Sequence, residues 1–477
     1  MSPPNVLLII LDSVRARNTS LHDYPRPTTP FLQDFGSVAT VYHQARSPSI
    51  HSVSSHASIF TGLHVEEHGV TDHASSLDPT ATIWHELASE HDYETGMFSP
   101  NVIVTVTSNL SEPFHHLDGP RRDDRDRYFE DALSPTDIEG RLERTEYLRE
   151  CFQSEKPVRA AANGLFFLYN DRGEYDPTEE GGFEYVDSFL DWSADVDGPW
   201  ASCLNLMDAH YPYVPAAEYD RWGGEELQAL HDELPAPPSR EIAATGNWWK
   251  LRAIESLYDG CISQADAVME YLVEQLRERN ELEDTLLVIT SDHGEGFGEH
   301  SQLNSDVQMA DHGWGIDEVL THVPLIVHHP SRSDPGDEAG LASLTRFPTV
   351  VREEVGGDAG SFAVGDDGAL ASTYRLEAPE EVLPSACPNR SSYAGPWRAV
   401  YSDDENGVCK HAVNGERSVS IRIHSARESQ QLGEGDVSLV EERFAALHDA
   451  GVNTSERDGR SLDAEVETQL EELGYLR

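Results

Sequence analysis

Two stretches of this chain are apolar at every position, Val6 to Leu11 and Leu286 to Ile289. A strand with one wet face alternates apolar and polar residues, so unbroken runs predict strands covered on both faces, as in a parallel sheet flanked by helices. Just before the second run, Ile262, Ala265, Met269, Leu272 and Leu276 recur at helical spacing, completing a helix-to-strand unit of such a sheet. Val323 to Val327 supplies a further strand, and the runs before Asn101 and His210 read the same way. This alternation lasts from Met1 to about Pro330. It is broken by two acidic, poorly periodic stretches, Arg121 to Arg149 and Ala216 to Arg240, read as solvated loops in preference to a substrate entrance. Asp334 to Ala369, rich in Gly and Asp, reads as a linker or long loop; after it Trp397 to Tyr401, Gly407 to Val413 and Val419 to Ile423 look like short strands. The expected fold is α/β. A large mixed, mainly parallel sheet flanked by helices occupies residues 1–352, and a small C-terminal α+β subdomain occupies 353–477.

Both apolar runs lead into an aspartate, Asp12 and Asp292, the second continuing as Asp292-His293-Gly294-Glu295. Ligands of open α/β sheets bind beyond the carboxyl ends of the strands, so two such ends that meet place hard metal ligands side by side. Ser52 opens Ser52-Val53-Ser54-Ser55-His56-Ala57-Ser58-Ile59-Phe60-Thr61-Gly62, a polar cluster running into a short helix-like stretch. A hydroxyl at a helix start faces unsatisfied N–H groups and the positive dipole end. A divalent ion held by Asp12, Asp292, His293 and Ser52 itself would lower the serine pKa and orient it as a nucleophile.

These residues, with Asn5 to Asp12, Thr29-Pro30, Asp208-Ala209-His210-Tyr211-Pro212-Tyr213, Gly298-Glu299-His300 and the closing Leu473-Gly474-Tyr475-Leu476, resemble in their order the signatures of the sulfatase family of the alkaline phosphatase superfamily. The resemblance implies an alkaline phosphatase-like sheet and a small C-terminal sheet closed by a helix from Leu462 to Leu473. It also implies roles. His210 would protonate the leaving group or hold an ester oxygen, and His300 and His312 would contact the charged group or a second metal. Asn101 would donate to an oxyanion, and Arg15, where the family often has Arg, would bind substrate unless it merely pairs with an acid.

The departures from the family pattern are as informative. Sulfatases oxidise the first residue of a Cys/Ser-X-Pro-Ser-Arg signature to formylglycine; Ser54 and His56 stand at the Pro and Arg positions, so Ser52 is expected to act unmodified. Ser13 replaces the second Asp of calcium-type members and His293 replaces their Asn, turning an oxygen-only site into a mixed O/N site that suits Mn²⁺ or Zn²⁺ better than Ca²⁺. Both changes resemble the phosphate-handling branches, lipoteichoic acid synthases and phosphoethanolamine transferases.

Composition sets the surroundings. Asp and Glu number 86 against 34 Lys and Arg, a net charge of −52. Molar salt shortens the Debye length to about 3 Å and removes most of the resulting repulsion, so the charge reads as adaptation to a salt-filled cytoplasm, as in haloarchaea. Disorder is excluded by 38% hydrophobic residues and strong periodicity, and nucleic acid by the lack of a basic footprint. Five scattered cysteines form neither a disulfide framework nor a zinc knuckle. With no leader pattern and no apolar stretch long enough for a transmembrane segment, a cytoplasmic protein is expected.

The expectation is a metal-dependent hydrolase of sulfate esters or phosphoesters using Ser52, its substrate a small anionic ester, a glycan or a glycolipid by family habit. An alcohol acceptor in place of water would make it a phosphoryl or headgroup transferase. A catalytically silent member that binds glycans or partners is the reading from a different class.

Overall fold

The computed structural model describes residues 3–73, 75–120, 151, 156–157, 159–160, 181–330 and 335–455. The expected loop at Arg121 to Arg149 and the closing helix at Leu462 to Leu473 lie outside them. In chain order the strands of the larger domain are β1 (Asn5–Leu11), β2 (Thr40–Arg46), β3 (Glu94–Phe98), β4 (His116–Asp118), β5 (Trp200–Leu206), β6 (Thr285–Thr290), β7 (Gly296–His300), β8 (Gln308–Asp311), β9 (Leu325–His328) and β10 (Asp337–Ser343). Eight form one sheet in the order β10-β2-β9-β6-β1-β5-β3-β4. β9 runs antiparallel to both its neighbours; every other pairing in the sheet is parallel. β7 and β8 form a separate hairpin beyond the end of β6.

The unbroken apolar runs have the predicted cause. Leu7, Ile9 and Leu11 point into one core layer and Val6, Leu8 and Ile10 into the other, because successive strand side chains face opposite sides. The long helix Trp248–Glu278 covers the first layer with Ile254, Leu257, Cys261, Ala265, Met269 and Leu272. Helices Ser52–Thr61, Ile83–His91 and Phe347–Val355 cover the second through residues such as Phe60, Trp84 and Val351. No helix among the described residues is long and apolar enough to cross a membrane.

The linker expected over Asp334 to Ala369 is instead ordered structure. β10 extends the main sheet at its edge beside β2, and helix Phe347–Val355 packs on the second core layer. Only the last three residues of β10 are buried, so its sequence lacks the apolar pattern of a central strand. Ala216 to Arg240 is likewise no plain loop: it contains helix Glu225–Asp232 and the start of helix Pro238–Thr245. The smaller domain is an antiparallel sheet of β11 (Ala369–Thr373), β12 (Trp397–Asp404), β13 (Gly407–Asn414), β14 (Arg417–Ile423) and β15 (Ser429–Gly433) in sequential order. Helix Val437–Ala445 covers one face through Val440 and Phe444, while Trp397, Ala399 and Tyr401 join the first core layer of the larger domain.

Candidate active site

β1 and β6 are parallel neighbours, with Val6 opposite Leu286 and Ile10 opposite Thr290, so the residues just past them leave the sheet together. Asp12 and Asp292 thereby meet although 280 positions separate them in the chain. Ser13, at a positive φ of 65°, fastens the two. Its N–H donates to Asp292 Oδ1 at 3.3 Å and its hydroxyl to Asp12 Oδ1 at 3.0 Å. The next turn, at Gly294, passes so close to Val319 that a Cβ would collide with the Val319 carbonyl, which is why glycine stands between His293 and Glu295.

His293 Nδ1 lies 2.9 Å from the Gly294 carbonyl and must donate to it, leaving Nε2 with its lone pair. Burial lowers its pKa to about 4, so the ring is neutral at pH 7. Ser52, buried at the start of helix Ser52–Thr61, places Oγ 3.2 Å from that Nε2. His56, one turn on, donates from Nδ1 to the Ser52 carbonyl at 2.7 Å.

Electrostatically the cluster is unbalanced. Burial and the adjacent Asp12 push the Asp292 carboxyl well above the usual range. Burial also opposes ionisation of Asp12, but His210, His293 and His56 outweigh it and hold that carboxyl low. Asp292 Oδ2 is buried without a hydrogen-bond partner. Its nearest nitrogens are His293 Nε2 at 3.4 Å and His56 Nδ1 at 3.7 Å, the first without a proton and the second already donating elsewhere. Two carboxylates in a dry site do not both ionise unless a cation joins them. Asp12, Asp292 and His293 offer ligand atoms that all lie within 4.8 Å of one another, the one such group among the described residues. The orphaned oxygen, the bare Nε2 and the mixed O/N donors fit a divalent transition ion.

Asn101 is tied to the same cluster. Its Nδ2 donates to Asp12 Oδ2 at 2.9 Å, with Asn205 Nδ2 3.4 Å from the same oxygen. The structure thus places the Asn101 amide, expected to donate to an oxyanion, on the Asp12 carboxylate. His210 donates from Nδ1 to the Tyr211 carbonyl at 2.6 Å. The His312 ring stands 4.3 Å from that of His293 and 5.5 Å from that of His210, with its Nδ1 3.4 Å from the buried Glu295.

A cavity of about 320 Å³ lies beside this cluster, with His51, His210 and His312 in its wall. The same wall carries His73, Arg240 and Arg375 together with Asp72, Asp311 and Glu377. Two arginines and three acids share this wall; burial pushes Asp311 up to about 6 and holds His51, His73 and His312 below their ordinary value.

Two expected residues are not brought here. Arg15 is buried beside the cluster and engaged by Glu255, Glu299 at 2.7 Å, Asn18 Oδ1 at 2.6 Å and the Glu295 carbonyl at 3.1 Å, the pairing with acids that the sequence left open beside a substrate contact. His300 ends β7 on the exposed side of the hairpin and is absent from the cavity wall, because the β7 register shift between Phe297 and His300 turns it outward. Reading the sequence missed His51, His73, Arg240 and Arg375. His51 adjoins Ser52 and could have been found by position; the others come from segments with no motif.

Comparison with known proteins places this geometry in context. The Sulfatase family model matches residues 4–352. Arylsulfatase K of Canis lupus familiaris is 22% identical over 377 residues, covering 73% of this chain and 62% of that protein. Iduronate 2-sulfatase of Mus musculus is 22% identical over 381 residues, covering 70% and 61%. The chain thus spans about three fifths of the length of the curated relatives it matches. Among solved structures, the phosphonate monoester hydrolase of Agrobacterium radiobacter superposes with a TM-score of 0.57 at 16% identity, covering 87% of this chain and 88% of that one.

Proposed function

Since this chain belongs to the sulfatase family, we propose that it is a divalent-metal-dependent hydrolase of small anionic esters, sulfate or phosphoester, in which an unmodified Ser52 is the nucleophile. One observation carries this reading: Ser52 Oγ sits 3.2 Å from His293 Nε2, beside the two buried carboxylates Asp12 and Asp292.

Asp12, Asp292, His293 and Ser52 would hold the metal, which when bound lowers the serine pKa and polarises the ester oxygen. Manganese or zinc suits the imidazole donor better than calcium. Ser13 and Asn101 keep the carboxylates in place through the hydrogen bonds described above, and His56 fixes the first turn of the serine helix. Ser52 attacks sulfur or phosphorus in line with the departing alcohol, forming a covalent ester that water then resolves. His210 has Nδ1 committed to the Tyr211 carbonyl. Nε2 is therefore the ring atom that passes a proton to the leaving oxygen. His312 hydrogen-bonds the charged group from the cavity wall. Ser54 and His56 in place of the Pro and Arg of the modification signature support the unmodified serine.

The test is hydrolysis of matched nitrophenyl sulfate, phosphate and phosphonate esters in molar KCl with added Mn²⁺ or Zn²⁺, comparing native protein with Ser52→Ala. Turnover of one ester that disappears in Ser52→Ala is expected. Turnover that survives the substitution overturns the nucleophile; no turnover together with no bound metal overturns the enzyme and favours the silent binding protein.

A further inference from the structure

We infer that Lys410 is a positioning residue for the reaction: from the smaller domain it holds the turn at 316–322, and through that turn the backbone that carries Asp12, Ser52 and His293. The inference rests on the ester-hydrolase reading above and adds to it a role for the smaller domain.

The chain contains three lysines, Lys156, Lys250 and Lys410, and Lys410 is 1% exposed. It stands on β13 opposite Tyr401 and Ile421, on the face from which Val408 and Ala412 join the first core layer of the larger domain. An ammonium persists in such surroundings only with strong partners. Lys410 Nζ donates to the Ile316 carbonyl and, at 3.0 Å, to Glu318 Oε1. Tyr401, from β12, donates to the same oxygen at 3.1 Å, and its hydroxyl lies 2.8 Å from Thr321 Oγ1. Arg46 Nη2, at the end of β2, is 3.0 Å from the other Glu318 oxygen.

These groups hold helix Glu318–Thr321, a single turn. One turn is not stable by itself, and the last carbonyls of a helix have no partner inside it. Here four successive carbonyls are taken by segments that carry the site. Val319 O accepts from the Glu295 N–H at 3.1 Å and Leu320 O from the Gly294 N–H at 2.8 Å, just past His293. Thr321 O accepts from the Ser47 N–H at 2.8 Å, five positions before Ser52, and His322 O from the Ala16 N–H at 2.9 Å, four positions after Asp12. The segments that follow β1, β2 and β6 are thus tied to one turn, and that turn is anchored in β12 and β13. Upstream of Ile316 the same domain holds His312, whose carbonyl accepts from Arg375 Nη1 at 3.1 Å. Lys410 and Tyr401 lie beyond the residues 4–352 that match the family, so this support comes from outside the matched part. A shift of about 1 Å caused far from the reacting atoms can cost about a hundredfold in rate, and groups that back metal ligands are worth about 10- to 100-fold in metal affinity or activity.

The experiment measures kcat, KM and the calorimetric Kd for Mn²⁺ in native, Lys410→Met, Lys410→Arg, Tyr401→Phe and Val440→Ala proteins, with whichever nitrophenyl ester the native protein turns over. Val440 packs on the opposite face of the same sheet, so its substitution shows what loosening the domain does by itself. Lys410→Met is expected to lower kcat about tenfold or more, with KM changed less than about threefold, and to raise the Kd for Mn²⁺ about tenfold. Lys410→Arg should recover most of both, and Val440→Ala should move neither. Tyr401→Phe keeps the ring and removes the hydroxyl; it should show the same pattern at about fivefold, and it decides the matter if Lys410→Met does not fold. Unchanged kcat and Mn²⁺ affinity in the folded variant, or equal losses in Val440→Ala, overturn the positioning role. If the native protein hydrolyses no ester the hydrolase reading fails by itself, and Mn²⁺ affinity decides the role: binding weakened in Lys410→Met and restored in Lys410→Arg upholds it, while equal binding, or none in any of the proteins, overturns it.

Discussion

Asp12 and Arg15 are three positions apart, both fully buried, and they anchor two charge clusters of opposite character. Around Arg15 every donor is engaged: Nε, Nη1 and Nη2 all have acceptors, two carboxylates flank the guanidinium, and the Phe297 ring centre lies 4.8 Å from it. Around Asp12 it is otherwise: a second carboxylate faces the first, an oxygen of Asp292 has no donor, and the neighbouring histidine nitrogen presents a lone pair. A buried network satisfied from within holds a fold together; one left a cation short is built around something the chain does not supply. Burial and charge alone do not tell the two apart. The hydrogen-bond partners do.

The contrast can be tested by removing one side at a time. The largest effect is expected from Asp292→Asn. It should abolish stoichiometric Mn²⁺ or Zn²⁺ on metal analysis and lower turnover by about a thousandfold or more, while the chain stays folded by circular dichroism. A variant that keeps its metal would remove Asp292 from the ligand set. Arg15→Met should do the reverse. By leaving Glu255 and Glu299 facing one another it should cost about 3 kcal/mol in denaturant unfolding, with metal content intact in the folded protein; a loss of metal at unchanged stability would place Arg15 in the site after all.

A third kind of buried group, neutral and with one ring nitrogen left without a partner, sharpens the rule. His22 Nε2 has no hydrogen-bond partner, and burial, with His43 and Arg46 nearby, lowers the ring's pKa to about 3. Its unfolded value is about 6.5. The unfolded chain therefore takes up the proton first as pH falls, and the neutral ring's share of stability, complete above about 6.5, is lost toward 3 at up to about 1.4 kcal/mol per pH unit. Between pH 7 and 5, His22→Asn should flatten the fall in unfolding free energy by about 1 to 2 kcal/mol; an unaltered slope would mean that His22 is not the group titrating. The smallest effect belongs to His300→Ala, expected to leave kcat/KM within about twofold, as surface changes commonly do. A hundredfold loss would restore the role its motif suggested.

Much of this was legible because central parallel strands are buried on both faces. β1 and β6 stood out as unbroken apolar runs, and the aspartates past them followed from where strands of such sheets end. β10 was missed because an edge strand with Asp337, Glu338 and Gly340 toward solvent has no apolar period to read. Asn101 was found, but its bond to Asp12 was not, since a sequence does not say which nearby oxygen an amide will meet. His300 was overvalued because its motif neighbour Glu299 does belong to the buried network with Arg15, and the turn that separates them leaves no mark in composition. Arg375 was invisible for a further reason: its partner His312 is 63 positions away in another domain, and no local period connects them.

The placing of β1 has a consequence for how the protein is made. Val6 pairs with Ala201 on one side and Leu286 on the other, so the strand that comes earliest in the chain among those of the sheet lies inside it and not at an edge. A nascent chain halted short of β6 has one edge of that strand open and Asp12 without Asp292. Closing the sheet over so long a loop is slow in proportion to the entropy it surrenders, and the same closure assembles the ligand pair. Uptake of a divalent ion by a growing chain would therefore mark the moment its central sheet is complete, and the ion, binding the native state alone, would act as a latch on it.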